Sequence, residues 1–441
     1  IWNMMSGSSE RIKVDPMEVM ICLYYLYVSI PEGSLEDHRI FHEKLCQELN
    51  LLGRIRISKE GLNGVLSGTK KNLEEYERGL RSEVFNISSP PAGEKKYGES
   101  LDVKYCYLRD DLPIEKQKFE ELSVKLTSEV VSLNQPSSKN DKRRRKGRRR
   151  RKKKIPERVS ADKMCYDDTS QIDQKKENKS AICFDNFEPA QHLDPEQWNE
   201  QLLKDRLDSD AVFIDARNSY ESKIGHFRLE GVPTLLTNTR KYATIPALLK
   251  SSADELAGKN VYMYCTGGVR CERASVYLRA FSESSEWPQS LEKPKNIYQL
   301  KGGIQKYLEK YGQKQGMEDE GNTSSEKPAE ACLYAGRNFV FDQRRMDPIV
   351  GQDAKAVGRC IICSIPHDDY DNGYAPSDNK EARCCRCRVL VLVCNSCRET
   401  IRIWSQEDSA EDTRPALFCG NQGKECINEG NYVSHKEIIK Y

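Results

Sequence analysis

The hydrophobic pattern of this chain changes character several times. Residues 17–30, MEVMICLYYLYVSI, are almost continuously apolar and rich in β-branched and aromatic side chains, and Pro31-Glu32-Gly33 stops the run. That pattern predicts a buried strand. Ser34 follows as an N-cap candidate with Asp37 three residues on, and Ile40, Phe41, Leu45 and Leu49 recur at helical spacing. Gly53 to Ser58 reads as a strand with charged residues on one face. Gly61-Leu62-Asn63-Gly64 reads as a turn, with a short strand from Gly64 to Ser67. Thr69 to Ser82 has polar helical character, and Leu101 to Leu108 reads as a strand again. The order βαββαβ predicts a ferredoxin-like α/β domain over residues 17–133. Nothing in its composition dictates a catalytic group.

From about Phe187 the pattern becomes alternating α/β. Pro195 to Leu203 reads as a helix and Ala211 to Asp215 as a short buried strand ending in an acid. Val261 to Tyr264 is a second strand, Glu272 to Phe281 a helix, Ile297 to Leu300 a third strand, and Ile304 to Tyr311 a last helix. Strands alternating with helices predict a parallel sheet with its reactive loops at the strand C-terminal edge. This domain is expected over 187–315, followed by a linker over 316–333 and a cysteine-rich domain over 334–441.

Length agrees with this division, because 441 residues exceed what one ordinary core holds. The net charge of +2 excludes nothing, but its distribution is informative. Lys142 to Lys154, KRRRKGRRRRKKK, carries twelve basic residues and one glycine inside a polar stretch. Such a run repels itself and buries nothing, so residues 134–186 are expected to be a disordered linker. It reads as a nuclear or nucleolar localisation signal recognised by import factors, as an electrostatic arm for nucleic acid, or as a solvated linker without a partner. No run of eighteen apolar residues occurs, so no membrane partner is expected. The expected location is nuclear, cytoplasmic or both; the chain begins at Ile1 rather than Met, which leaves an upstream targeting segment open.

The sharpest chemistry lies in YMYCTGGVRCERAS, Tyr262 to Ser275. A strand feeds Cys265, the loop Thr266-Gly267-Gly268-Val269-Arg270 follows, and a helix begins directly after it. Such a loop points backbone N–H groups at the cysteine sulfur while the helix N-terminus adds positive potential, so a thiolate, or an anion carried on it, is stabilised. The two glycines let the backbone approach closely, and Arg270 adds fixed positive charge. Cys265 and Arg270 are therefore the catalytic candidates. An inert buried cysteine would need neither the double glycine nor the arginine.

These residues resemble a rhodanese domain. CTGGVR stands with Asp215-Ala216-Arg217 upstream, Glu221 a few positions on, and Gly225-His226-Phe227. The resemblance implies a cysteine that carries sulfane sulfur as a persulfide. Cysteine phosphatases of related fold use a loop one residue longer between Cys and Arg, which fits a tetrahedral phosphate; four residues separate Cys265 from Arg270 here. RNSYESKIGHF, VYMYCTGGVRCERAS, LKGGIQKYLEKYG, SKEGLNGVLSG and GRNFVFDQR resemble one subfamily, the bacterial tRNA uridine hydroxylases and their eukaryotic rhodanese-like relatives. That resemblance covers about residues 20–110 and 187 to the C-terminus. It implies tRNA as partner and oxygen-dependent hydroxylation of the wobble uridine at carbon 5, with molecular oxygen as co-substrate and dependence on the loop cysteine. No flavin, haem or NAD motif is present. The basic insert is a departure from the bacterial pattern, as are the spacing of the tail cysteines and the apolar run Val389 to Val393. Cys271 belongs to the subfamily's loop pattern and is a candidate resolving thiol, or else packs under the helix start. Asp215, Arg217 and His226 are expected to support the structure rather than touch substrate.

Of seventeen cysteines, most fall in the tail with paired spacing, which speaks for metal-bound or catalytic thiols in a reducing compartment. Cys360/Cys363, Cys384/Cys387 and Cys394/Cys397 are three pairs two residues apart, and Cys419/Cys426 is a looser fourth. Eight thiols suffice for two structural zinc sites. The preferred division places Cys360, Cys363, Cys394 and Cys397 on one zinc and Cys384, Cys387, Cys419 and Cys426 on the other, with Cys385 and His367 as substitutes. Free thiols, disulfides or an iron–sulfur cluster are the alternatives. Arg383, Arg386, Arg388, Arg398 and Arg402 around these pairs suggest an acidic partner. Three readings of the whole chain follow: a tRNA uridine hydroxylase acting through Cys265, a sulfurtransferase passing sulfur from thiosulfate or a persulfide donor to a thiol, or a non-enzymatic nuclear RNA- or protein-binding module.

Overall fold

The structure is a computed structural model that describes residues 19–87, 101–108, 114, 118–133, 188–237, 239, 242–314, 331–340, 345–350, 356–370, 382–387, 389–400, 417–419 and 437–439. The basic run 142–154 with the whole expected linker 134–186, residues 316–330 of the second expected linker, and Cys426 lie outside the described residues. Backbone proximity divides the chain into two units, Ile1–Val130 with Val340–Pro348, and Val131–Phe339 with Ile349–Tyr441.

The first unit contains β1 (Val19–Tyr27), α1 (Leu35–Glu48), β2 (Leu52–Ser58), β3 (Gly61–Thr69), α2 (Lys70–Ile87), β4 (Asp102–Tyr107) and β5 (Leu122–Leu126). The sheet order is β4-β1-β3-β2-β5, antiparallel throughout except for the parallel β2–β5 pair. This is the expected ferredoxin-like order with one added edge strand. Two details differ from the pattern reading. Gly61 to Gly64 is strand rather than turn: a Cβ at Gly61, whose φ is +135°, would lie 1.9 Å from the Leu26 carbonyl oxygen, and one at Gly64 would strike the Tyr24 ring. These glycines serve close packing of β3 on β1, and the chain reverses before them at Lys59 and Glu60. In α1 the buried face is His38, His42 and Cys46, while Ile40 is 37 % exposed. Polar side chains occupy that face because His42 Nδ1 is 2.8 Å from the Tyr76 hydroxyl, which pairs in turn with Tyr24. Ser34 precedes α1 but makes no side-chain cap.

The second unit begins with β6 (Gln191–Leu193), α3 (Pro195–Leu207), β7 (Ala211–Asp215), α4 (Ser219–Ser222), β8 (Gly225–Phe227) and β9 (Thr234–Leu236). It continues with α5 (Ile245–Ser251), α6 (Ala253–Leu256), β10 (Asn260–Tyr264), α7 (Val269–Glu283), β11 (Asn296–Leu300) and α8 (Gly303–Tyr311). β12 (Gln313–Lys314), β13 (Tyr334–Val340) up to Phe339, the last two residues of β14 (Arg345–Val350) and β15 (Glu437–Ile439) complete it. The main sheet runs β15-β9-β7-β10-β11-β6, with the β9–β7–β10–β11–β6 pairs parallel and β15 antiparallel at its edge. β7 and β10 are buried along their whole length, so they read as continuous apolar runs rather than alternating ones. Helices cover both faces. One core layer gathers Val212, Ile214, Met263, Leu248 and Leu278, and the other gathers Trp198, Phe213, Tyr262, Phe227 and Tyr307.

Leu133 packs into the first of these layers and Leu333 into the second. Both were assigned by pattern to neighbouring segments, and local hydrophobicity could not reveal which core they join. The helices start and stop where backbone chemistry dictates. Asp194 caps α3 through the Gln197 N–H, with Gln197 returning the bond. α7 begins at Val269, earlier than its apolar positions indicate, because Gly268 turns the chain at φ +98°.

Candidate active site

β10 delivers Cys265 to the C-terminal edge of the parallel sheet, and the loop 265–270 turns directly into α7. The Gly268 N–H donates to the Cys265 Sγ at 3.1 Å. From below, the start of α8 holds the loop: the N–H groups of Ile304 and Gln305 donate to the carbonyls of Cys265 and Thr266, each at 3.0 Å. Gly303 makes that approach feasible, since a Cβ there would lie 2.6 Å from both carbonyl oxygens. The two loop glycines differ. Gly268 takes a backbone conformation that other residues resist, whereas a Cβ at Gly267 would point into open space. Val269 beside them is half-buried.

The charge behind the loop is arranged in two buried ion pairs. Arg270 donates to both carboxylate oxygens of Glu221, at 2.8 and 2.7 Å, and to the Thr266 hydroxyl at 2.8 Å. Thr266 in turn donates to Glu221 at 3.1 Å. Burial opposes the charge on Glu221, but the Arg270 guanidinium and the Asn218 N–H outweigh it and hold the carboxyl below its usual range. Glu221 is presented by α4, whose capping box joins Asn218 and Glu221. Only a motif position marked it in the sequence; the Asn-x-x-Glu spacing was the further signal that could have found it. Asp215 and Arg217 form the second pair, fully buried, with Arg217 Nε at 2.8 Å from Asp215 Oδ1 and Arg217 also bonded to the Gly225 carbonyl. His226 is buried, faces the Ser222 carbonyl at 2.9 Å, and is kept neutral by burial, its pKa pushed down to about 4. None of these three side chains bonds Cys265; they hold the turn that carries Glu221.

Cys265 itself is fully buried, which alone would raise its pKa. Against that work the Cys271 thiol, the Arg270 charge and the backbone N–H groups of Cys271 and Arg270, and together they bring the thiol down to about 6. Cys271 pays the opposite cost: burial and its role as donor to Cys265 push its pKa well up. Cys271 therefore stands as a neutral thiol hydrogen-bonded to a thiolate. Tyr242, which no motif marked, donates to the Arg270 carbonyl. The assembly can hold a nucleophilic thiolate at neutral pH in a fully buried position.

The tail gathers its cysteines into two centres. The sulfurs of Cys360, Cys363, Cys394 and Cys397 lie within 4.8 Å of one another, and so do those of Cys384, Cys387 and Cys419. Cys363 and Cys394 are 3.6 Å apart and Cys387 and Cys419 are 3.7 Å apart. A tetrahedral zinc with Zn–S bonds of about 2.3 Å places its sulfurs about 3.8 Å apart, whereas a disulfide needs about 2.05 Å. The donor set thus fits zinc. Backbone geometry agrees: the Cys394 N–H points at the Cys360 sulfur at 3.4 Å, and Arg359–Pro366 and Arg383–Leu390 close two matching antiparallel bridges around the first two pairs. Burial raises the Cys360 pKa, but the N–H groups of Cys363, Cys394 and Ile362 bring it down to about 7. Cys426 falls outside the described residues, Cys385 is exposed, and His367 is not among the grouped ligands. The apolar run Val389 to Val393 is not a strand; Val389, Val391 and Val393 pack with the second centre, and the Leu392 carbonyl accepts from Ile361 beside the first. Arg398 is turned inward rather than toward a partner, donating to the carbonyls of Val393 and Tyr370. Arg388 and Arg402 lie outside the described residues.

Two family models match successive parts of this chain. Residues 19–130 match the UPF0176 acylphosphatase-like domain, and residues 199–310 match the rhodanese-like domain. A "tRNA uridine(34) hydroxylase" of Rhodococcus jostii is 30 % identical over 382 residues, covering 86 % of this chain and 97 % of that protein. A protein of the same name from Aster yellows witches'-broom phytoplasma is 27 % identical, covering 84 % of this chain and 89 % of its own. "Rhodanese-like domain-containing protein 6" of Arabidopsis thaliana is 30 % identical over 89 % of this chain, which spans 53 % of that longer protein. Among the described residues no helix is long and apolar enough to cross a membrane. With a rhodanese loop closed by four residues between cysteine and arginine, the matching N-terminal domain and this similarity along nearly its full length, the chain belongs to the tRNA uridine(34) hydroxylase family of rhodanese-fold enzymes.

Proposed function

We propose that this protein hydroxylates the wobble uridine of tRNA at carbon 5, with molecular oxygen as co-substrate and Cys265 as the reacting thiolate. The observation that carries the reading is the Cys265 loop, where a fully buried thiol is brought down to about 6 by Cys271, Arg270 and loop N–H groups. A thiolate is a soft nucleophile suited to carbon 6 of a uracil ring; its addition there makes carbon 5 electron-rich, and once carbon 5 is oxygenated the carbon-5 proton leaves and the bond from carbon 6 to sulfur breaks, restoring the ring double bond and the thiolate. Oxygen insertion at carbon 5 from dioxygen also consumes two electrons and two protons from a reductant, because the second oxygen atom leaves as water. Arg270, paired with Glu221, supplies a fixed positive charge beside the sulfur. The opening over Gly267, where even a Cβ meets nothing within 4 Å, is the side from which a base would reach the loop. The basic run 142–154 supplies a phosphate-binding arm and an import signal, which makes nuclear and cytoplasmic tRNA the accessible pools.

A second reading rests on the same loop. A buried thiolate in a cradle of N–H donors also stabilises a persulfide, so sulfur transfer to a thiol acceptor is the competing activity.

Nucleoside mass spectrometry of bulk tRNA separates the two. Cells lacking the protein should lose a 5-hydroxyuridine-derived nucleoside that returns with the wild type and not with Cys265→Ser. No change in any uridine derivative, together with a persulfide on Cys265 after treatment with thiosulfate, would replace hydroxylation by sulfur transfer.

A further inference from the structure

The cysteine centres and the catalytic loop meet on one short segment, Asn218 to Gly225. Within it, Tyr220 is the chain neighbour of Glu221, which fixes Arg270. The Tyr220 ring packs on the core of the second centre, formed by Cys384, Cys387, Cys419 and the valines between. Its edge also meets Phe339 and Tyr370, with ring centroids 5.2 and 6.4 Å away. The Tyr370 hydroxyl donates to the Tyr220 carbonyl at 2.9 Å. Tyr370 is held in turn by Arg398, whose guanidinium donates at 3.1 Å to the Tyr370 carbonyl and at 3.0 Å to the Val393 carbonyl, while its backbone N–H donates to the carbonyl of Cys394, a residue of the first centre. Both centres therefore end on the same residue, one through packing and one through a chain of hydrogen bonds.

The rest of the segment is clasped just as closely. A Cβ at Gly225 would lie 2.4 Å from the Arg337 carbonyl oxygen, and one at Gly358, beside Cys360, would lie 3.3 Å from the Lys223 carbonyl oxygen. The Arg337 N–H donates to the Ile224 carbonyl at 2.8 Å, and Arg337 pairs with Asp368 at 3.0 Å. A four-residue helix such as α4 has no stability of its own, so its position is set by what packs on it. Beside the Arg217 and His226 bonds to the Gly225 and Ser222 carbonyls, what packs on it is the tail.

We propose that the two cysteine centres position the Cys265 loop through Tyr220 and Tyr370, so that metal held by the tail controls whether Glu221 keeps Arg270 beside the Cys265 sulfur. Tyr220 and Tyr370 are positioning residues in this arrangement and need not touch substrate. The tail is then part of the active-site scaffold, and chelation of its metal disarms a thiol that is not a metal ligand. This inference rests on Cys265 as the reacting group, but not on whether the reaction is hydroxylation or sulfur transfer.

The test reads Cys265 directly. The full chain, loaded with zinc, is alkylated with iodoacetamide across a pH series, and modification at Cys265 is followed by peptide mass spectrometry. Hydrogen exchange of β10 amides, Asn260 to Tyr264, is measured on the same samples. The zinc-loaded wild type should show a midpoint near 6. Removing zinc with a chelator should move the midpoint up by one unit or more, which lowers alkylation at pH 6 by about fivefold or more, and re-adding zinc should restore it. Tyr220→Ala should shift the zinc-loaded protein in the same direction, Tyr370→Phe should shift it less, and Tyr220→Phe, which keeps the ring, should restore most of the wild-type midpoint. β10 should stay protected throughout. A midpoint that ignores zinc removal and Tyr220→Ala overturns the proposal. So does a shift that occurs only with loss of β10 protection, because the tail would then serve folding in general. Absence of uridine hydroxylation by the zinc-loaded wild type, with these midpoint shifts present, would count against the proposed substrate alone.

Discussion

Cys22 and Cys46 in the N-terminal unit are as thoroughly buried as Cys265, yet their chemistry is the reverse. Burial raises the Cys22 thiol far above its ordinary value and pushes Cys46 up to about 12. The same burial at Cys265 is overcome by the Cys271 thiol, Arg270 and loop N–H groups, and the thiol falls to about 6. Cys22 sits in a strand whose N–H groups are spent on β3 and β4, so none is left for a sulfur. Cys265 ends a strand, where the chain leaves the sheet and its next amides are free to converge on one atom. Position at a strand end, more than exclusion of water, separates a reactive cysteine from a small hydrophobic one.

The comparison can be broken most decisively at the nucleophile. Cys265→Ser should abolish hydroxylation of tRNA and any sulfur transfer, by about 10³-fold or more. Cys46→Ser should leave turnover within about twofold, costing only the stability of a buried hydroxyl, about 1–3 kcal/mol. Turnover assays on both variants and a urea melt of the second check this; residual activity in Cys265→Ser would place the chemistry elsewhere. Next in size is Arg270→Ala. It should strand the Glu221 carboxylate, destabilise the protein by about 3–5 kcal/mol, and raise the Cys265 alkylation midpoint. Pairing it with Glu221→Gln should recover part of the stability but not the low midpoint, as denaturation and alkylation series would report.

A third prediction concerns pH. Because the folded-state pKa of Cys265 is depressed from 9.0 to about 6, its contribution to stability is present above the unfolded value and is lost as pH falls through the folded value. Between pH 9 and 6 the wild type should therefore lose more stability than Cys265→Ser does, measured by urea midpoints. Equal slopes would mean the thiol is not depressed. The smallest effect is expected at Gly267, where a Cβ points into open space. Gly267→Ala should leave the melting temperature nearly unchanged while raising KM for tRNA more than it affects alkylation by iodoacetamide. An equal loss in both assays would show that Gly267 shapes the loop rather than its entrance.

Much of the site was legible because its signals are local. The strand-Cys-Gly-Gly-Arg order is read along the chain, and Cys265, Arg270 and the loop stand where that order places them. The paired spacing of Cys360/Cys363 and Cys394/Cys397 likewise announces thiols that turn toward one point, and their sulfurs meet. Where local pattern failed, a distant neighbour had taken over. Gly61 and Gly64 look like turn residues, but Leu26 and Tyr24 of another strand require their lack of a side chain. Ile40 looks like core, but α1 buries His38, His42 and Cys46 instead, with His42 paired to the Tyr76 hydroxyl.

The amino-acid sequence alone determined the fold class, the candidate cysteine loop and the thiol pairs, since each depends on residues close together in the chain and on the periods of strand and helix. Only the tertiary structure decided which charge holds Arg270, what keeps Glu221 in place, and that Tyr220 is shared by both cysteine centres. Those relations join residues 49, 150 and more positions apart. Packing of the folded chain brings them together, and no periodicity along the backbone encodes such a contact.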